Sequence, residues 1–145
     1  MDLKMTVEEL NSYVAEIFPQ VSDFYTIEKL DKNFLRVKYM PTERDVRPGG
    51  SVSGPTLFAL ADISTFMALL AMIGPVHLAV TTSCSIDFLR KPRAEEILAA
   101  ECRVLKIGRV LAVSDVLVFS GHIREPVARA SLTYSIPPGK AREFE

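Results

Sequence analysis

Between about Thr56 and Ile73 the chain carries a helical pattern that is apolar on every side. Leu57, Phe58, Leu60, Ile63, Phe66, Met67, Leu69, Leu70 and Met72 leave it no polar face. A helix of this kind persists only when it is surrounded. Ser53 or Gly54 can cap its start, Pro55 suits its first turn, and Gly74-Pro75 stops it. Its longest apolar stretch, Ile63 to Ile73 with Ser64 and Thr65 inside, falls short of the ~20 residues of a membrane span. The surroundings must therefore come from the rest of the chain.

That remainder reads as strands. After His77 the period becomes two, with Val80, Cys84, Ile86 and Phe88 expected on one face and Thr81, Ser83, Ser85 and Asp87 on the other. Leu98 to Val104, Leu111 to Phe119 and Ala128 to Ile136 follow. Their connections, such as Ile107-Gly108-Arg109, are too short for helices, which predicts that these four strands are antiparallel neighbours. Ahead of the long helix, Thr6 and Glu9 stand at capping-box spacing and open a helix over about 7–18 that ends at Pro19. Extended candidates span Phe24 to Leu30 and Phe34 to Met40, with the turn Asp31-Lys32-Asn33 between them. Residues 41–55 are rich in Pro and Gly and read as a loop. The fold class is α+β, an antiparallel sheet with one long apolar helix laid across it.

With 145 residues, the chain suffices for one domain, its core over about 20–136. Seventeen Lys and Arg against eighteen Asp and Glu give a net charge of −1, without the basic excess that nucleic-acid phosphates demand. Two cysteines make neither a disulfide framework nor a four-ligand zinc site, and no metal is expected. No charged n-region and apolar h-region open the sequence, so a cytoplasmic protein away from membranes is the expectation.

Asp62 is the only ionisable residue in the long helix. A carboxylate there is costly unless bonded, so it is either a structural group tied to a hydroxyl or a base or nucleophile at a pocket wall. The segment Gly49 to Pro55 delivers backbone N–H groups and the positive helix end, which can polarise a carbonyl or merely cap the helix. Ser53 lacks the Gly-x-Ser-x-Gly context of a nucleophile. His77 and His122 read as surface residues, and Cys84 and Cys102 as packed small hydrophobes. Arg90, Lys91 and Arg93 could meet Lys106 and Arg109 across the sheet as a phosphate cluster, or simply be solvated turn charges.

These residues together resemble a known family. The Gly-rich loop, the apolar helix with one acid, and the run from Ala79 to Pro92 ending Phe88-Leu89-Arg90-Lys91-Pro92 resemble the hotdog-fold acyl-CoA thioesterases. The match is to the phenylacetic-acid-degradation type of the 4-hydroxybenzoyl-CoA thioesterase superfamily, over about residues 45–136. The resemblance implies a hotdog fold, with the antiparallel sheet wrapped around one central helix. It further implies thioester hydrolysis, with coenzyme A entering only as part of the substrate. Asp62 then falls at the acid that attacks or activates water, and Gly54 at the N–H that polarises the thioester carbonyl. Thr81, Thr82 or Ser83 falls where a hydroxyl places the water. Arg47, Ser53 and Pro55 replace the family's usual Asn, His and second Gly. These departures keep open a second reading, a non-catalytic acyl-CoA-binding or ligand-sensing domain. Apolar helix residues such as Phe58, Phe66 and Met67 allow an aliphatic or an aromatic acyl chain.

Spacing adds a constraint on assembly. Gly54 and Asp62 are eight residues apart on one helix, or about 12 Å at ~1.5 Å per residue. A carbonyl held ~3 Å from the first cannot meet the second of the same chain. A two-fold homodimer, alone or as a dimer of dimers, brings them together, and the resemblance implies the same.

Overall fold

The computed structural model describes residues 2–137 except 77 and 122, and all but the side chains of 21 and 22. Helix α1 spans Val7–Ile17 and a short α2 Pro19–Ser22. The capping box is formed, with the Glu9 N–H donating to Thr6 Oγ1 at 3.1 Å and the Thr6 N–H to Glu9 Oε1 at 3.0 Å. Strands β1 (Tyr25–Asp31) and β2 (Phe34–Tyr39) form a hairpin, its turn made by Asn33 at φ 58°. Helix α3 covers Gly54–Ile73, starting two residues before the expected position, with Ser53 as N-cap and Pro55 in its first turn. Strands β3 (Val80–Phe88), β4 (Leu98–Ile107), β5 (Leu111–Ser120) and β6 (Ala128–Ser135) complete the chain.

All six strands form one antiparallel sheet in the order β1-β2-β4-β5-β6-β3, with α3 against it. This is the hotdog fold. The strand side of α3 is fully occupied: Leu57, Leu60, Ala61 and every residue from Ser64 to Met72 are buried. As a whole helix α3 is long and apolar enough to cross a membrane, which the uninterrupted stretch within it understates, but 72% of that span is buried in protein. Opposite the helix, the sheet carries ion pairs, among them Arg36 with Glu28 and Glu101 and Asp87 with Arg129.

Two expectations need correction. First, β3 and β4 are not neighbours. Strand β3 pairs with β6 alone and forms an edge, while β4 lies between β2 and β5. The segment from Leu89 to Ile97, though short, runs over the end of the sheet. It is held there by backbone bonds, from Leu89 and Arg90 to Val127 O, from Val52 to Pro92 O and from Ala94 to Gly50 O. The loop before α3, with Gly49 and Gly50 at φ 100° and 84°, thus anchors the crossover rather than floating free. Second, strict alternation fails at the start of β3. The register against β6 slips between Thr81 and Ser83, leaving Thr82 as an extra residue. A bulge of this kind turns the residues before it onto the other face. Thr81 therefore joins Cys84 and Ile86 on the half-buried side, and Val80 is 58% exposed.

Candidate active site

Asp62 sits at the one part of α3 that the sheet leaves partly open, on a stripe with Pro55, Phe58, Ala59 and Ile63. Its Oδ1 accepts two hydroxyls, from Thr81 at 2.5 Å and from Tyr134 at 2.7 Å. Tyr134 also reaches the Asp62 carbonyl oxygen at 3.1 Å. Oδ2 has no hydrogen-bond partner among the described residues. The residue is thus tied to hydroxyls, as its structural reading expects, and Oδ2 is left without such a tie.

The carboxylate lines a cavity of about 270 Å³. Apart from Asp62, Thr81 and Tyr134, its walls are Ile17, Phe18, Ile63, Phe66, Ala79 and Val80, all apolar. Phe18 and Phe66 meet edge to face, with ring centres 6.3 Å apart. Phe66 is thus placed as expected, but Met67 is 2% exposed and does not line this cavity, and Phe58 lies outside it at 37% exposed. Their places are taken by Ile17 and Phe18, from the junction of α1 and α2, which nothing in the local sequence pattern marks. Tyr134 was also hidden. It reads as one apolar position in the inward row of β6, and the only hint is that a buried phenol requires a partner for its O–H. Burial foremost, with Asp62's charge adding to it, pushes the Tyr134 phenol far above its usual range, so it remains a donor. Burial, then the Asp62 charge, also raises the Cys84 thiol.

Gly54 is the first residue of α3, where no preceding turn exists to accept its N–H. A side chain there would press on Phe88, whose ring carbon Cζ lies 3.1 Å from the ideal Cβ position. Ser53 Oγ is engaged as the cap, accepting from the Thr56 N–H at 3.4 Å and sharing a 3.0 Å hydrogen bond with Thr56 Oγ1. Pro55 is exposed in the first helical turn, and Arg47 is an exposed corner of the preceding loop. Thr82 Oγ1 donates to Thr133 O at 3.2 Å and Ser83 is exposed, so of the three β3 hydroxyls Thr81 alone meets Asp62.

A second carboxylate holds this start of α3. Asp45 Oδ2 accepts from Tyr39 at 2.5 Å and from the Thr42 N–H at 2.7 Å, while Oδ1 accepts from Thr56 at 2.9 Å. Burial alone would raise its carboxyl, but the hydrogen bonds from Thr42, Tyr39 and Thr56 outweigh that and hold it below the usual value. The same charge contributes, after burial, to raising Tyr25 to about 12.

The expected cation cluster does not form within one chain. Arg90 donates to Pro126 O at 2.7 Å, and Lys91 and Arg93 are exposed nearby. Arg109 precedes Leu111, which is level with Ser135 and Val80, so it lies at the opposite end of β3. His77 and His122 fall outside the described residues. Cys102 is buried with its Sγ 3.7 Å from Thr65 Oγ1, as its packing role predicts.

Comparisons with known proteins agree with this fold. The family model of the Thioesterase superfamily matches residues 49–127. The chain belongs to that superfamily, a class of thioester hydrolases. A structure of a candidate thioesterase from Silicibacter sp. TM1040 is 44% identical, covers 95% of this chain and 96% of its own, and superposes with a TM-score of 0.86. The E. coli PaaI protein of the phenylacetic acid degradation operon shares the fold at 24% identity and TM-score 0.79, over 92% of this chain and 94% of that one. A Streptococcus mutans protein solved with acetyl-CoA also shares it, at 22% identity and TM-score 0.71, over 79% and 89%.

Proposed function

We propose that the protein is an acyl-CoA thioesterase that releases a free acid and CoA, with Asp62 as the base or nucleophile. The single observation that carries this is the asymmetry of Asp62, a residue lining a largely apolar cavity, with one oxygen held by two hydroxyls and the other without a hydrogen-bond partner among the described residues. Acting as base, Oδ2 takes a proton from water while the water oxygen bonds to the thioester carbon. The tetrahedral oxyanion collapses, the C–S bond breaks, and the CoA thiolate leaves and is protonated. Acting as nucleophile, Oδ2 attacks the thioester carbon, the C–S bond breaks with loss of the CoA thiolate, and water then cleaves the mixed anhydride to the free acid and Asp62. In either case the Gly54 N–H at the positive end of α3 holds the oxyanion. That a structural relative is solved with acetyl-CoA supports the CoA part of this reading.

The site is completed by a second copy of the chain. Gly54 packs against Phe88 at one end of β3, and Asp62 bonds Thr81 at the other. The outer edge of β3 pairs with no other described strand, and such an edge is a template for pairing. Joining two β3 edges antiparallel about a two-fold axis sets one chain's Phe88 end beside the partner's Thr81 end. Gly54 of one chain then faces Asp62 of the other, resolving the ~12 Å separation along a single helix. Phe88 and Val80, 54% and 58% exposed, become covered. The same pairing carries the partner's Arg109 to the Arg90, Lys91 and Arg93 end, where the CoA phosphates bind.

A second reading has its own support. Ser53 and Arg47 stand where the family carries His and Asn, and the structure commits the Ser53 hydroxyl to the helix cap. That favours an acyl-CoA-binding domain without turnover. Release of free thiol from a panel of aliphatic and aryl acyl-CoA thioesters separates the two. Turnover supports the enzyme; tight binding of the panel without thiol release supports the binding domain.

A further inference from the structure

We infer that Tyr134 is a positioning residue, one that fixes the orientation of the Asp62 carboxylate and so the place of its unbonded oxygen. The inference rests on the reading of Asp62 as the reactive acid. Thr81 and Tyr134 are direct cross-strand partners in the β3–β6 ladder, and the slip at Thr82 turns Thr81 to the same inner face as Tyr134. Their hydroxyls converge on Oδ1 from two strands, at 2.5 and 2.7 Å, and Tyr134 also bonds the carbonyl oxygen of the same residue at 3.1 Å. One phenol thus grips both the side chain and the backbone of Asp62.

A free aspartate exchanges its two oxygens by turning about its last torsion, a broad and nearly two-fold rotation. Here that turn breaks two hydroxyl bonds at once. The two bonds therefore hold the carboxylate plane in one orientation, with Oδ1 bonded and Oδ2 without a partner among the described residues. Fixing an attacking atom in its productive geometry acts on the chemical step and leaves ground-state binding of the acyl chain alone.

The test is a set of variants of the full chain assayed on the best thioester of the panel, each first shown to be folded by its thermal unfolding. Tyr134→Phe keeps the ring and removes only the grip. Its kcat is expected to fall roughly tenfold while KM stays within about twofold. Thr81→Ser, which retains a hydroxyl, is expected to keep more activity than Thr81→Val, whose kcat should fall as that of Tyr134→Phe does. Because both hydroxyls act on one oxygen, the loss in the double variant Tyr134→Phe/Thr81→Val should differ from the product of the single losses. An unchanged kcat in Tyr134→Phe overturns the inference, and so does a double loss equal to that product. Asp62→Asn, run alongside, separates the two levels. If it is fully active, the reading of Asp62 falls and Tyr134's role with it. If it is silent while Tyr134→Phe matches the parent, only the positioning role falls.

Discussion

Asp62 and Asp45 are built from the same parts and left in different states. Each is a half-buried aspartate beside α3, and each accepts a tyrosine and a threonine hydroxyl. At Asp45 both oxygens are taken, one by Tyr39 and the Thr42 backbone, the other by Thr56. At Asp62 all the donors fall on Oδ1. The hollow beside Asp45 is the larger, about 580 Å³ against about 270 Å³. An acid whose oxygens are all engaged holds structure together; one with a free oxygen over an apolar wall can react.

The contrast predicts that one change destroys turnover and the other stability. Asp62→Asn keeps shape while deleting the charge, and kcat should fall about 100-fold or more with little change in unfolding. Equal hydrolysis by variant and parent would remove the distinction entirely. Asp45→Ala strips the acceptor from Tyr39, Thr42 and Thr56, and should cost about 1–3 kcal/mol in urea unfolding. It should keep far more turnover than Asp62→Asn. A smaller effect is expected at the CoA end: neutralising Arg90, Lys91, Arg93 or Arg109 should raise KM a few-fold and leave kcat nearly alone, because phosphate contacts are equal in ground and transition states. A truncated pantetheine thioester, lacking those phosphates, should not show the rise. The weakest signal is in acid. The folded Asp45 carboxyl is held below its unfolded value, so its contribution is complete above about pH 3.9 and is lost as pH falls through the lowered folded value. The stability gap between parent and Asp45→Ala should be widest near neutrality and close in acid; a constant gap would mean that the carboxylate's charge is not what matters.

What the sequence disclosed follows from the range over which each feature is encoded. The capped α1, the all-apolar α3, its stop at Gly74 and the β4–β5–β6 meander are written in neighbouring residues, and they were legible. Asp62 stood out because a lone acid in an apolar helix is conspicuous. The edge position of β3 was not legible, since backbone bonds from the segment 89–97 to residues 50, 52 and 127 decide it. Nor was the slip at Thr82, because alternation looks unbroken through Val80 until the partner strand is known. Both failures bear on the site. The edge leaves β3 free to meet a second chain, and the slip is what turns Thr81 rather than Val80 toward Asp62. Tyr134 and Phe18 depend on contacts between distant segments that no single stretch of sequence records.

On the proposed assembly, Asp62 of one chain and Gly54 of another form one site. Mixed refolding tests it most directly. Asp62→Ala and a folded, inactive Gly54 substitution are unfolded together in equal amounts and refolded. Random pairing makes half of the dimers mixed, each with one intact site of two, so about a quarter of parental activity should return. No recovery, with mixed dimers confirmed by mass, would place the whole site within a single chain.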